Sequence, residues 1–68
     1  MRDWQAVFKD DREHRAEIVK AVLFDMGMNP VLINKTVSQY GMGNFEIFVA
    51  PEFVMRAIKT IKDDIKFA

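Results

Sequence analysis

Hydrophobic residues alternate with polar ones, or run together briefly, in three short stretches of the chain. This pattern is typical of β-strands. The predicted strands cover residues 4–8 (WQAVF), 31–34 (VLIN) and 44–49 (NFEIFV). Strict alternation in the first strand would place Trp4, Ala6 and Phe8 on one face of the sheet, with Gln5 and Val7 on the other face.

Two further stretches repeat hydrophobic residues every three or four positions, which is the period of an α-helix. The first helix is expected to run to about Met26, with Asp10 as its cap and Glu13 in its first turn. Gly27 should end it in a left-handed conformation. Pro51 is expected to open the second helix. The apolar stripes consist of Ala16, Ile18, Val19, Val22, Leu23 and Met26 in the first helix, and of Val54, Ala57, Ile58, Ile61 and Ile65 in the second.

The segment between the second and third strands contains two glycines and no sustained alternation. Residues 35–43 are therefore predicted to form a long hairpin connection rather than a tight turn. Within it, Tyr40 and Met42 have two open interpretations. They either belong to a binding loop, since loops often carry function, or fold back to cover the end of the core.

The order of these elements predicts an α+β fold, βαββα, in a single domain spanning residues 1–68. A strand–helix–strand crossover is right-handed, so a hairpin partner fits most naturally between the two crossover strands. This gives an antiparallel sheet of order 1-3-2 with both helices on one face. The arrangement is ferredoxin-like but lacks the last strand.

Such a sheet has one face without helices, and its first strand is a bare edge. Hydrophobic residues are expected on the open face: some of Val7, Leu32 and Phe48, or of Trp4, Ile33 and Phe45, depending on the register. Sheets that expose one face to water normally show clean hydrophobic–polar alternation. The departure from that rule predicts an interaction surface at this face or at the edge.

Composition limits how so short a chain can be stabilised. A single core in 68 residues rarely supplies more than roughly 3–5 kcal/mol of net stability. Cysteine is absent, which excludes disulfides and the common zinc sites, and the single histidine, His14, argues against a metal centre built from imidazoles. Self-association, as a homodimer or higher oligomer, remains the available reinforcement.

Charge and hydropathy narrow the expected partners. Ten basic residues balance ten acidic ones, so no net field attracts nucleic acid or an anionic membrane. No apolar run approaches the ~18 residues of a membrane span, and the first residues contain no hydrophobic signal region. We therefore expect a cytoplasmic protein that binds itself, or another protein, without a membrane or nucleic-acid partner.

The polar residues do not assemble into a reaction centre at the level of sequence. No Ser/His/Asp or Cys/His combination accompanies His14, and the acidic residues around it are those that a helix N-terminus favours. Met26, Met28 and Met55 are expected to fill the core. The sequence thus predicts no catalytic residue, no metal, no cofactor and no enzymatic activity.

The succession of motifs resembles a known family. It comprises Trp4 and Val7-Phe8, then residues 16–23 (AEIVKAVL), the Gly27 stop, a short strand ending in Asn34, a glycine-containing loop, and residues 46–52 (EIFVAPE) before a final amphipathic helix. This order is similar, over nearly the whole chain, to a bacterial domain family of unknown function described as signal-transducing proteins. The resemblance implies a ferredoxin-like and PII-like fold and a small regulatory protein of the bacterial cytoplasm. It implies no catalytic residues.

Two functions follow from these expectations. The first is a regulatory or protein-interaction module that self-associates through a sheet edge or the open sheet face. The second is a small-molecule sensor that holds its ligand near residues 36–43 or at a subunit interface.

Overall fold

The computed structural model describes residues 3–37 and 42–66. The elements in chain order are β1 (Gln5–Asp10), α1 (Glu13–Asp25), β2 (Val31–Val37), β3 (Met42–Val49), a 3-10 turn (Pro51–Phe53) and α2 (Val54–Asp64). The predicted α+β order βαββα is confirmed.

The three strands form one antiparallel sheet in the order β1-β3-β2. The central strand β3 aligns both neighbours: Glu46 lies opposite Lys9 of β1 and opposite Ile33 of β2. The predicted sheet order of 1-3-2 is therefore confirmed.

Both helices pack on the same face of the sheet. One buried cluster combines side chains from α1 and α2 with two alternate residues of β3 and with Met28, which follows α1. Its members are Ala16, Val19, Leu23, Met28, Ile47, Val49 and Ala57. Residues two apart on a strand share a face, so the helices cover the face that carries Ile47 and Val49. The fold is accordingly thin, with the Cα atoms spanning 15 Å along the shortest axis.

A β-bulge changes the faces predicted for β1. Ala6 lies opposite Phe48, whereas Phe8 lies opposite Ile47, the preceding residue of β3. Val7 is thus the extra residue of the bulge, and Ala6 and Phe8 lie on opposite faces of the sheet. The prediction that they share a face is wrong. The bulge allows the two adjacent residues Val7 and Phe8 both to pack against the core.

The end of α1 follows the prediction for Gly27, which has a φ of 82°. Its N–H donates to the Phe24 carbonyl at 2.9 Å, and the Met28 N–H donates to the Leu23 carbonyl at 3.1 Å. This hydrogen-bond pair is the Schellman motif, in which the left-handed residue is usually glycine. Because Met28 and Leu23 are both buried, the motif also turns the chain back into the core.

The start of α1 differs from the prediction. The N-cap residue is Arg12 and not Asp10, which is the last residue of β1. The Arg12 carbonyl accepts the first helical hydrogen bond, from the Ala16 N–H at 3.3 Å. Asp10 instead accepts the Arg12 N–H at 2.8 Å through its carboxylate. The bulge and the longer strand move Asp10 into the sheet, so it fixes the strand–helix turn rather than the helix end.

The strands β2 and β3 extend further into the predicted hairpin connection than expected. Their ladder continues until Val37 lies opposite Met42, so part of residues 35–43 is strand. Lys35–Thr36–Val37 has two β-branched residues, which favour extended backbone. A backbone ladder does not require alternating apolar side chains, which is why the sequence pattern failed to show it.

The helices bury narrower stripes than the sequence suggests. Ile18 of α1 and Ile58 of α2 are exposed, and Met55 is exposed to 81%. The prediction of Met55 as core filling is wrong, whereas Met28 is fully buried. Each helix contacts the sheet along one side only. A residue that lies about 100° or more around the helix axis from the centre of that contact is therefore exposed to solvent.

Candidate interaction surface

The sheet side that faces away from the helices, called the open face below, has no described helix packed on it. Residues directly opposite in an antiparallel ladder project to the same side. The register therefore assigns Ala6 and Lys9 of β1, Asn44, Glu46 and Phe48 of β3, and Val31, Ile33 and Lys35 of β2 to the open face. The half-buried apolar residues among them lie together on β2 and β3, since Val31 is opposite Phe48 and Ile33 is two residues further along.

The side chain of Lys35 reaches across this face. Its Nζ lies 3.5 Å from Glu46 Oε2 and 5.9 Å from the centroid of the Phe48 ring. The Glu46 side chain is only 13% exposed, so its charge is held close to the sheet, with Ile33 of β2 opposite it on one side and Lys9 of β1 on the other. Lys35 thereby neutralises Glu46 and makes a weak cation–π contact with Phe48. An ion pair with an exposed lysine contributes little stability, about 0–1 kcal/mol.

The structure separates the residues predicted for the interaction surface. Phe48 lies on the open face, but Val7 and Leu32 pack against the core on the helix side. Of these three residues, the open face therefore holds Phe48 and not Val7 or Leu32. The bulge turns Val7 toward the helices, and the register places Leu32 opposite the buried Ile47.

The other residues predicted for the interaction surface also lie in different parts of the molecule. Ile33 lies on the open face, whereas Phe45 packs against the core. Met42 begins β3; its side chain, and Tyr40, lie outside what the structure describes. Sequence reasoning missed Val31 and Lys35 as members of the surface, because only the strand register shows which residues lie opposite Phe48 and near Glu46.

The two outer strands present different edges. β1 carries the bulge at Val7 and ends in the charged residues Lys9 and Asp10, and bulges and charges hinder further strand pairing. β2 keeps an unbroken register with β3 from Val31 to Val37. The edge of β2 is therefore the more regular template for another strand.

The helical side also exposes hydrophobic residues, namely Ile18, Phe24, Met55 and Ile58. An open depression of about 240 Å³ lies beside Phe24, and every residue that lines it belongs to α1. Ligand pockets normally enclose most of their ligand between several elements. A depression on a single helix has no second wall and does not form such a site.

The polar groups of the described residues form no reaction centre. Among residues 3–37 and 42–66, no group of three or more His, Cys, Asp or Glu side chains could hold a metal ion. His14 is exposed in the first turn of α1. The N–H of Arg12, with a smaller effect from the Arg15 guanidinium at 3.6 Å, lowers the pKa of Asp10. The lowered pKa of Asp10 therefore results from the hydrogen bond that this carboxylate makes in the strand–helix turn.

No family model, curated protein or solved structure matches the chain. In the part of the chain that the structure describes, the helices are too short and too polar to cross a bilayer. The open face and the two sheet edges are thus the features on which a functional inference can rest.

Proposed function

We propose that the protein is a small, non-enzymatic regulatory module that binds a second copy of itself through its three-stranded sheet. The observation that carries this proposal is the β2 side of the sheet, where Val31 and Ile33 of the unbroken edge strand lie beside Phe48 of the open face without a described helix over them. Water-exposed sheet faces are normally polar, and exposed apolar groups on them mark contact sites.

A second copy is the partner that the composition favours. A core of this size gives little net stability on its own, and the absence of cysteine removes covalent reinforcement. Because the chain has no net charge, two copies approach without overall repulsion. Lys35 and Glu46 of each copy already neutralise one another, so a contact at the β2 side of the sheet would not bury an unpaired carboxylate.

The regulatory role and the cytoplasmic location complete the proposal. The role follows by analogy from the ferredoxin-like arrangement, which many regulatory domains share. The location is supported by the absence of cysteine, since small secreted domains usually depend on disulfides.

Sedimentation velocity over two decades of protein concentration tests the proposal. We expect the weight-average mass of the wild type to rise from monomer towards dimer within the range from micromolar to several hundred micromolar. Met55→Asp is the matched control, because it adds a charge to the helical side at a largely exposed position. It should associate as the wild type does.

Two outcomes would contradict the proposal. A wild type that stays monomeric over the whole range would exclude self-association as the function. Loss of association in Met55→Asp, with an unchanged circular dichroism spectrum, would show that the contact is made by the helices and not by the sheet.

A further inference from the structure

We infer that β2 is the strand that makes this contact, and that two copies pair antiparallel along β2 with Ile33 opposite Ile33. Two three-stranded sheets would then join into one sheet of six strands. The inference rests on the proposed self-association and goes beyond it by naming the edge and the register.

The first argument is the difference between the two edges. On β1, the bulge at Val7 interrupts the regular spacing of backbone donors and acceptors, and Lys9 and Asp10 add charge. These are the features by which proteins protect an edge strand from pairing. On β2, seven residues keep a register without a shift, and the first three are Val31, Leu32 and Ile33, which favour strand pairing.

The second argument is the position of the charge on β2. Lys35 is the one charged residue between Val31 and Val37. A two-fold axis at Lys35 would set two lysines directly opposite each other, which is destabilising. An axis at Ile33 places each Lys35 opposite Val31 of the second copy instead, and pairs two β-branched apolar residues at the centre.

The third argument is the surroundings of Ile33 on the open face. Ile33 lies opposite Glu46 within its own chain, and Glu46 is within 3.5 Å of Lys35. The central row of the six-stranded sheet would therefore run from Glu46 through the two isoleucines to the second Glu46. Each carboxylate keeps its own lysine, so pairing at this register leaves no new charge unpaired.

The area available sets the expected strength. Strand pairing over about five residues buries less than the ~1,200 Å² of a specific, stable interface. The dimer should therefore be weak and reversible, and a trapping method suits it better than detection at low concentration.

Single-cysteine variants test the inference directly, because the chain contains no cysteine. Directly opposite residues in an antiparallel pair have Cα atoms about 4.5–5.5 Å apart, which lies within the range of roughly 4.4–6.8 Å found in disulfides. We expect Ile33→Cys to form a disulfide-linked dimer under oxidised glutathione at least several-fold faster than two controls. The controls are Ala6→Cys, on the same face at the β1 edge, and Met55→Cys, on the helical side.

A charge-exchange experiment supplies a second readout. Ile33→Lys and Ile33→Glu should each be monomeric at concentrations where the wild type dimerises, since like charges would meet at the two-fold axis. An equimolar mixture should recover a heterodimer. Thermal melts of each variant confirm that it is folded, which matters for Ile33→Glu because it faces Glu46.

The outcomes separate the two proposals. Faster cross-linking of Ala6→Cys than of Ile33→Cys, or a mixture that stays monomeric, would overturn the β2 pairing while wild-type association keeps the proposed function intact. A wild type that never associates overturns both.

Discussion

Asp10 shows how a single side chain can act at a different place from the one its sequence position indicates. Its spacing from Glu13 is that of a helix cap, yet it closes β1 and accepts the N–H of Arg12 at 2.8 Å. That hydrogen bond stabilises the ionised carboxylate and lowers the pKa of Asp10 below its ordinary value of 3.8. The Asp10 carboxylate therefore stabilises the fold at neutral pH and loses this effect in acid.

We expect Asp10→Asn to remove part of the acid sensitivity of folding. A carboxylate whose pKa is lower in the folded state stabilises the fold above its unfolded pKa, and this stabilisation is lost as the pH falls through the folded pKa. Urea midpoints of wild type and Asp10→Asn should therefore differ most near neutral pH and converge below 3.8. Asp63→Asn, an exposed change on α2, is the control and should show no such convergence. A constant difference at every pH would contradict this origin.

The bulge in β1 shows how a strand can depart from the alternation of its sequence. One extra residue turns Val7 and Phe8 toward the core and leaves Ala6 on the open face. The helical stripes are a second case in which the sequence pattern does not predict burial. The period of the hydrophobic residues correctly identifies both helices, but it does not predict that Ile18 and Ile58 are exposed. Which side chains are covered depends on where the neighbouring layer ends.

We expect Val7→Asp to unfold the domain rather than merely dissociate a dimer. A carboxylate at this position would contact the hydrophobic core without a partner, which should lower the free energy of unfolding by more than about 2 kcal/mol. Ala6→Asp, one residue earlier on the open face, should change it by less than about 1 kcal/mol. Chemical denaturation of both variants measures the difference. Equal losses would show that Val7 and Ala6 are equally exposed.

Residues 3–37 and 42–66 form one sheet layer and one helix layer, and the Cα trace spans 15 Å along its shortest axis. Among these described residues, the helices cover the side of the sheet that carries Ile47 and Val49, and no helix covers the other side. In so small a domain, association contributes directly to apparent stability, because a partner that binds only the folded state shifts the folding equilibrium.

We expect the thermal midpoint of the wild type to rise with protein concentration, because unfolding of a dimer releases two chains. Ile33→Lys should show a midpoint that is independent of concentration, while Ala6→Lys, with the same charge at the other edge, should behave as the wild type. Differential scanning calorimetry over a hundred-fold concentration range makes the measurement. A wild-type midpoint that does not move would contradict coupling between folding and association.

The sequence by itself determined the element types, their order and the sheet order of 1-3-2. These follow from local periodicity, from Gly27 at a left-handed helix end, and from the handedness of the crossover, all of which are properties of neighbouring residues or general chain geometry. The sequence pattern predicted no strand where the structure has a helix, and no helix where it has a strand.

Only the tertiary structure decided which residues form the open face. The position of Val7 depends on a bulge, and those of Leu32 and Phe48 depend on a register set by hydrogen bonds to β3. A shift of one residue moves every side chain of a strand to the other face, and no local pattern in β1 or β2 fixes that shift. The contact between Lys35, Glu46 and Phe48 likewise exists only because two strands meet at this register.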